Sequence, residues 1–269
     1  MRKLLIVGAA VAVLATPALA ADLARPVYKA PPAPPPPALS WTGFYIGLNG
    51  GYGWNDATGR STCVTPGGVF FGAGCDAGAG NIVKPAGGLF GGQIGYNMQS
   101  GPIVYGLESD IQWSDIRDSV SAADPCCSPA FASATGTYTA SSKLDWFGTV
   151  RGRVGFAAGS SALLYATGGL IYGHEAVSDS LVFPAVTYAS AASTTRAGWT
   201  VGGGLEYLFT PAVSGKIEGL WYDMGSLSTA FTSPLTGFTE GGTFNFRGAI
   251  IRAGLNYHFN LGGPVATRY

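Results

Sequence analysis

The chain has 269 residues, of which 47% are hydrophobic and only 11% are charged. An ordinary soluble domain carries about 25% charged residues, so something other than water covers part of this surface. Fifteen basic and fifteen acidic residues cancel, and lysine and arginine form no run, which excludes a nucleic-acid-binding surface. The 42 glycines lack the triplet period of collagen, and the hydrophobic content excludes disorder for most of the chain.

Residues 1–20 have the three parts of a secretory signal. Arg2 and Lys3 form the basic region, LLIVGAAVAVLA the apolar core, and Ala18-Leu19-Ala20 the small-residue cleavage site. About 12 apolar residues are too few for a helix that needs roughly 20 to span a bilayer. The sequence therefore predicts cleavage after Ala20 rather than a membrane anchor.

A proline-rich stretch, ARPVYKAPPAPPPPAL, follows the predicted signal. Such a stretch favours extended polyproline geometry and cannot build a core, so it is interpreted as a semi-rigid periplasmic linker. The predicted organisation is a signal peptide (1–20), a linker (21–40), a single barrel domain (41–259) and a C-terminal tail (260–269).

Within that domain, apolar residues recur with a period of two rather than the helical 3.6, which indicates strands with one apolar face. Each segment is close to the 9 to 11 residues that a tilted strand needs to cross a bilayer. The predicted strands are 42–54, 89–98, 103–113, 144–156, 162–173, 198–209, 213–223 and 248–259. The fold expected is all-β: a closed, antiparallel, up-and-down transmembrane β-barrel of eight strands.

The phase of the alternation places charges on the face opposite the apolar residues. In LDWFGTVRGRVGF, Leu144, Trp146 and Val150 point one way, whereas Arg151 and Arg153 point the other. The same phase predicts nine inward charges: Glu108, Asp110, Asp145, Arg151, Arg153, Glu206, Lys216, Glu218 and Arg252. A polar interior with an apolar exterior is typical of outer-membrane barrels. The alternative is a soluble sandwich, in which these charges face water.

Connections of two lengths alternate along the chain. Short links are predicted at 99–102, 157–161 and 210–212, and long loops at 55–86, 114–142, 175–195 and 224–246. Because outer-membrane barrels have short periplasmic turns and long extracellular loops, both termini are expected in the periplasm. A count of ten strands, with 229–246 as a further hairpin, is the alternative to extension of the strands above the membrane.

Several separated motifs resemble one known family. WTGFYIGLNGGYGW, LDWFGTVRGRVGF, LLYATGGLIYG and GWTVGGGLEY, together with the signal junction and proline-rich spacer, are similar to porin-family outer-membrane β-barrel proteins of alphaproteobacteria, the OmpA-like eight-stranded type. The resemblance implies a surface antigen that supports envelope integrity; some members are called porins and some haem-binding. Family barrels commonly end at the aromatic residue that the assembly machinery recognises. Here NLGGPVATRY follows Phe259, so either Tyr269 supplies that residue or the signal is internal.

Eight strands enclose an interior that side chains just fill, so the inward charges are expected to pair and plug the lumen. The predicted function is structural and surface-interacting, in the outer membrane of a Gram-negative bacterium; the alternative is a narrow porin-like channel. Expected partners are outer-membrane lipid and lipopolysaccharide, the outer-membrane assembly machinery and an unidentified extracellular ligand at the loops. Six tryptophans are expected at the membrane interfaces: Trp41, Trp54, Trp113, Trp146, Trp199 and Trp221.

Neither histidine indicates catalysis. His258 is expected inside the barrel and His174 at the start of a loop, without an oriented nucleophile and oxyanion donors, so no enzyme activity, cofactor or metal is predicted. Cys63 and Cys75 share one predicted loop and are proposed as a disulfide in this exported chain. Cys126 and Cys127 are adjacent in the next loop, and bonding across loops is the alternative.

Overall fold

A computed structural model of the protein describes residues 40–56, 60–64, 83–124, 136–159, 161–184, 186–232 and 239–259. In these ranges the chain forms nine β-strands. They are β1 (Gly43–Asn55), β2 (Arg60–Val64), β3 (Ala86–Ser100), β4 (Ile103–Asp124), β5 (Gly136–Ala158), β6 (Ala162–Val182), β7 (Thr187–Thr210), β8 (Val213–Thr232) and β9 (Thr239–Phe259). The described ranges hold no helix with the length and apolarity to cross a membrane.

The sheet closes into a ring of eight antiparallel strands. Consecutive strands from β3 to β9 pair with each other, β1 pairs with β3, and β1 also pairs with β9 from Phe44–Phe259 to Asn55–Gly248. The short β2 pairs with β9 beyond the end of β1 and so continues the same line of the wall. The predicted up-and-down barrel of eight strands is confirmed. Closure satisfies the backbone groups that lipid cannot.

The short links lie where the sequence predicts them. Two residues, Gly101 and Pro102, connect β3 to β4, and Pro211 and Ala212 connect β7 to β8. Gly101 has φ +59°, a left-handed conformation that a side chain would strain. This end of the barrel is called the lower rim, and it is the periplasmic rim in outer-membrane barrels.

The prediction of long loops is mostly wrong, because the strands continue through the ranges predicted as loops. The described parts of 114–142, 175–195 and 224–246 belong largely to β4 to β9, and β8 and β9 stay paired as far as Thr232 and Thr239. The Ser, Thr and Ala composition of these segments is compatible with loops, but most of these side chains form the water-facing side of strands, and a few, such as Ser142 and Ala140, face the interior. In the described parts of 229–246, the chain continues β8 and β9 and adds no further hairpin, so the ten-strand alternative is wrong.

Aromatic side chains mark the two edges of the lipid-facing wall. Phe44 and Trp54 on β1 lie ten positions apart and are 48% and 38% exposed, and Trp199 and Phe209 on β7 have the same spacing. The exposed side chains between them are apolar, as in a transmembrane strand. The upper girdle consists of Trp54, Trp113, Trp146, Trp199 and Trp221. Trp41 departs from the prediction, because it is 1% exposed and lies inside the lower rim.

The interior has three levels. A small apolar cluster closes the lower rim with Trp41, Val104, Ala157, Leu163, Tyr165 and Leu208. Charged and amide side chains fill the middle level, opposite lipid. A larger apolar cluster begins at the upper girdle and continues above it, including Leu89, Ile116, Tyr138, Leu144, Phe147, Val177, Leu181, Met224, Phe244 and Phe246. The strand segments around this upper cluster are called the cap.

Three register shifts lie close to the upper girdle. They fall between Trp113 and Ile116, between Leu144 and Trp146, and between Asp223 and Ser226. Each adds residues to one strand, and in β5 the extra residue reverses which residues face inward. Leu144, predicted to face lipid, is therefore 1% exposed and belongs to the cap interior.

The wall is not continuously hydrogen-bonded above the upper girdle. Among the described residues, pairing between β7 and β8 ends at Trp199 and Asp223. The remaining segments, Thr187–Gly198 and Met224–Thr232, face each other across what is called the β7–β8 seam. Side chains bridge it: Tyr188 stacks on Phe231 with ring centroids 5.9 Å apart, and Arg196 donates to the Ser226 carbonyl.

Candidate functional site

The middle level of the lumen contains eight of the nine charged residues that the sequence predicts to face inward. Glu108 and Asp110 come from β4, and the remaining six come from β5, β7, β8 and β9. Each side chain is at most 2% exposed, and together they make four acids and four bases: Glu108, Asp110, Glu206, Glu218, Arg151, Arg153, Lys216 and Arg252. The set is formally neutral.

Asp145 does not join this group. It is the extra residue of the register shift in β5, its side chain is 31% exposed, and it pairs with Lys143 on its own strand. A strict alternation of side chains predicts that Asp145 faces the interior. Without it, the predicted excess of one acid disappears and the buried acids and bases are equal in number.

Glu108 lies at the centre of the network. Its Oε1 is 2.5 Å from Arg151 Nη2 and 2.8 Å from Lys216 Nζ, and its Oε2 accepts a 2.8 Å hydrogen bond from the Tyr45 hydroxyl. These contacts connect β1, β4, β5 and β8, which lie on different sides of the ring. The Arg151 contact joins directly opposite residues of neighbouring strands, whereas the Lys216 contact crosses the lumen.

Asp110 and Glu218 share the two upper arginines. Arg252 Nη2 lies 2.8 Å from Asp110 Oδ2 and 2.7 Å from Glu218 Oε1. Arg151 contacts the same two acids at 3.1 and 3.0 Å, and Thr149 donates to Asp110 at 2.7 Å. Charge-assisted contacts at these distances belong to the stronger class of hydrogen bond.

Glu206 forms the lower part of the network. Arg153 Nη2 lies 2.7 Å from Glu206 Oε2, and Ser214 and Asn256 donate to Glu206 Oε1 at 2.6 and 2.7 Å. Below them, His258 Nε2 is 2.8 Å from Ser214 Oγ. The His258 ring is thus buried inside the lumen, as its phase predicts, and its Nε2 also lies 3.5 Å from Glu206 Oε1.

Two tyrosines that the sequence did not single out complete the network. The Tyr165 hydroxyl donates to Glu218 at 3.0 Å, and its ring faces the Arg153 guanidinium at 4.0 Å, a cation–π contact. Tyr45 has room because Gly95 has no side chain: a Cβ there would lie 2.3 Å from the Tyr45 ring. The alternation places both tyrosines inside, but their partners lie on distant strands.

The remaining candidates lie apart from the lumen. His174 sits at the upper girdle, with Nδ1 3.4 Å from Thr195 Oγ1, and contacts none of the eight charges. The proposed Cys63–Cys75 disulfide includes Cys75, which lies outside the described residues. Within the described part of the chain, no group of three or more His, Cys, Asp or Glu side chains is arranged to hold a metal ion.

The cap interior contains two acids of its own, above the membrane-spanning segments. Glu175 is fully buried, and neither of its carboxyl oxygens has a hydrogen-bond partner among the described residues. Burial raises the pKa of Glu175 to about 8, and the Arg196 cation offsets this in part. Burial also raises the pKa of Asp179, although hydrogen bonds from Thr229 and Tyr138 oppose the shift.

A closed ring of eight strands with an apolar belt, aromatic edges and an ion-paired interior defines an integral outer-membrane β-barrel protein. Comparison with known sequences agrees with that class. The chain belongs to the outer membrane protein beta-barrel domain family, whose model matches residues 6–259.

Relatives cover nearly the whole chain. The 31 kDa outer-membrane immunogenic protein of Brucella melitensis is 36% identical over 260 residues, which cover 96% of this chain and all of that protein. The 22 kDa outer membrane protein of Rhizobium leguminosarum is 34% identical, covering 72% of this chain and 69% of that protein. The solved structure of OprG from Pseudomonas aeruginosa aligns with a TM-score of 0.47 at 11% identity, over 81% of this chain and 96% of that one.

Proposed function

We propose that this protein is a non-conducting outer-membrane barrel that supports the envelope and presents its cap as a surface for recognition. The observation that carries the proposal is the neutral set of four acids and four bases in the lumen, several of whose ion pairs join strands that are not neighbours in the ring. Ions passing through this level must displace those pairs.

The cost of separating the pairs favours a permanent plug. Removing one partner of a buried pair leaves an uncompensated charge at a cost of about 3–5 kcal/mol. The apolar clusters above and below add two further layers of packed side chains. A water-filled pore of the porin type needs roughly twice this number of strands.

The cap supports the surface role. Its strands extend beyond the upper girdle, and their outer face carries Ser and Thr side chains that water or a partner can reach. The Brucella relatives are named outer-membrane immunogenic proteins, and by that similarity we propose that this chain is also a surface antigen. Recognition on outer-membrane barrels generally resides in the extracellular segments.

The sequence features also support a route by which the protein reaches the outer membrane. We propose export by the signal in residues 1–20, cleavage after Ala20, a periplasmic proline-rich linker, and insertion by the outer-membrane assembly machinery. Outer-membrane lipid then contacts the apolar belt, and lipopolysaccharide surrounds the cap. No catalytic step is part of this function.

Conductance of the purified full-length protein in planar lipid bilayers tests the plug. We expect no reproducible current steps from the wild type, because every charge in the lumen has a partner. A stable channel whose ion selectivity changes in Arg151→Ala would overturn the proposal and favour a narrow pore. In a deletion strain we expect increased sensitivity to detergents; unchanged sensitivity would contradict the envelope role.

A further inference from the structure

The charged side chains on the outer surface are distributed unevenly. Among residues whose side chains are described, every charge that is not buried lies at or above the upper girdle, and the lower rim carries none. They are Asp56, Lys84, Asp115, Arg117, Asp118, Lys143, Asp145, Arg196, Asp223 and Arg247. In an outer-membrane barrel, this is the level at which the headgroups of the outer leaflet begin.

Two cross-strand pairs at this level have opposite character. On β8 and β9, Asp223 lies opposite Arg247, so an acid faces a base. On β4 and β5, Arg117 lies opposite Lys143, so two cations face each other. Like charges directly opposite on one face of a sheet are destabilising, and an anion that bridges them removes the penalty.

The two cations are available to such an anion. The Arg117 and Lys143 side chains are 63% and 45% exposed, and small side chains flank them on the neighbouring strands, Ala86 and Ala176. Arg117 pairs with Asp115 at 3.1 Å, and Lys143 with Asp145. Exposed pairs of this kind contribute little, so a phosphate can replace them.

A groove on the outer surface continues from Lys143 across β6 to β7. It has a volume of about 300 Å³, at the lower end of the range for ligand pockets, and the side chains that face it are small or carry a hydroxyl. They are Ser141, Ala176, Ser178, Ala191 and Ser193. The hydroxyls offer hydrogen bonds at the edge of a nearly flat surface, which suits a sugar ring.

Directly below the groove, the wall becomes apolar. Trp146 contacts Tyr172 edge-on at 6.2 Å, and Leu170, which is 60% exposed, faces lipid beneath them. From the membrane outward, the surface therefore offers an apolar wall, an aromatic edge, a cation pair and a hydroxyl-lined groove. Acyl chains, a phosphate and a sugar occur in that order in a phosphorylated glycolipid.

We propose that this surface of β4–β7 binds the headgroup of an outer-leaflet glycolipid of the lipid A type. Arg117 and Lys143 bind its phosphate, and the groove from Ser141 to Ser193 receives its sugar. The inference rests on the proposed orientation, with the cap on the outer-leaflet side, and it identifies one place on the barrel at which lipopolysaccharide is held.

Full-length protein in nanodiscs of phosphatidylcholine with a small fraction of purified lipid A tests the site by native mass spectrometry. We expect the double variant Arg117→Gln, Lys143→Gln to retain lipid A about tenfold less well than wild type, since each cation near an anionic headgroup contributes a several-fold effect. Arg247→Gln is the matched control, because it removes an exposed cation at the same level that faces an acid; it should stay within about twofold.

Further measurements distinguish lipid A from phosphatidylglycerol and inorganic phosphate as the bound molecule. Ala191→Gln fills the groove but leaves the cations, and we expect it to weaken lipid A while phosphatidylglycerol binding is unchanged. Equal retention of lipid A by wild type and the double variant, or displacement by inorganic phosphate at lipid concentrations, would overturn the site. Conductance of the same purified protein in planar bilayers reports on the plug separately, so failure of one proposal does not imply failure of the other.

Discussion

The strand β5 passes through both halves of the molecule and carries opposite patterns in each. Within the membrane it turns Arg151 inward, and Val150, 48% exposed, outward. In the cap it turns Tyr138 and Leu144 inward, at 3% and 1% exposure. On the outer face of the cap, Ser141 bonds Ser178 at 2.7 Å. The interior is therefore polar where lipid surrounds the wall and apolar where water surrounds it.

This reversal has a simple physical basis. Lipid solvates the apolar side chains of the membrane wall, so their inward neighbours fill the lumen with polar groups that must pair. Water solvates the outer face of the cap, and the apolar side chains then face inward, as in a soluble protein. In β5 the extra residue of the register shift, Asp145, lies where one pattern gives way to the other.

The largest effect is expected in the membrane half. Glu108→Gln removes the carboxylate that Arg151 and Lys216 share. Arg151 keeps Asp110 and Glu218, but among the described residues Lys216 keeps only Glu218 at 3.9 Å and the lumen holds one excess buried cation, so the free energy of unfolding should fall by about 3–5 kcal/mol. Urea unfolding of the full-length protein in detergent micelles measures the change. Asp145→Asn is the matched control and should stay within about 1 kcal/mol, since its pair with Lys143 is exposed.

A cavity in the cap should cost slightly less and act locally. Phe244 is fully buried among apolar side chains, so Phe244→Ala should destabilise the cap by about 3 kcal/mol. Hydrogen exchange should accelerate in 136–144 and 175–182 and remain slow in the membrane segments. Thr243→Ala, on the outer face of the same strand, should leave both regions unchanged; equal loosening of the membrane half would contradict the separation of the two cores.

Glu175 makes the stability of the cap depend on pH. Its pKa is raised in the folded state to about 8 from a usual value near 4.5, so the folded cap favours the protonated form. Stability should therefore fall as the pH rises from about 4.5 to about 8, and Glu175→Gln should abolish that loss.

At about pH 9.5 we expect Glu175→Gln to be more stable than wild type by on the order of 2 kcal/mol, and equal to it at about pH 4. Part of the full effect is lost because an ionised carboxylate draws in water. Thr194→Ala, on the strand position opposite Glu175, should shift stability equally at both pH values. A pH dependence retained in Glu175→Gln would place its origin elsewhere in the cap.

The smallest effect concerns the β7–β8 seam. Tyr188→Ala removes a ring stacked on Phe231, and aromatic pairs of this kind contribute roughly 0.5–1.5 kcal/mol. Residues 187–198 are paired with β6 but not with β8, so the amides there that point into the seam should exchange faster than those bonded to β6, and the variant should increase that difference. Similar exchange along all of β7 would show that the seam is bridged as firmly as the paired wall.

Alternation of side chains predicts the membrane half of the fold well, because a strand in lipid must present one apolar face along its whole length. It assigns eight of the nine inward charges correctly. It fails at Asp145, since a strict period of two cannot represent an extra residue. The adjacent aromatics Trp146 and Phe147 break the alternation and are the signal that was available.

The sequence did not predict the strands of the cap or the partners of the lumen charges, and the two reasons differ. Ser, Thr and Ala in 114–142 and 175–195 are equally compatible with loops and with water-facing strands, so composition alone did not separate them. Arg151 meets Glu108 by pairing of neighbouring strands, but Lys216 lies 108 residues away on β8 and reaches Glu108 only when the ring closes. A tryptophan near a strand end is typical of the membrane interface, but Trp41 precedes β1 and its side chain packs inside the lower rim.

A distance measurement across the lumen tests the central claim most directly. Solid-state NMR of isotopically labelled protein in lipid bilayers can detect the Lys216 ammonium nitrogen next to the Glu108 carboxyl carbon. We expect a strong contact, because Lys216 Nζ on β8 lies 2.8 Å from both carboxyl oxygens of Glu108 on β4, a strand that does not neighbour β8. A Lys216 ammonium group that is hydrated and shows no contact to Glu108 would contradict the ion-paired lumen.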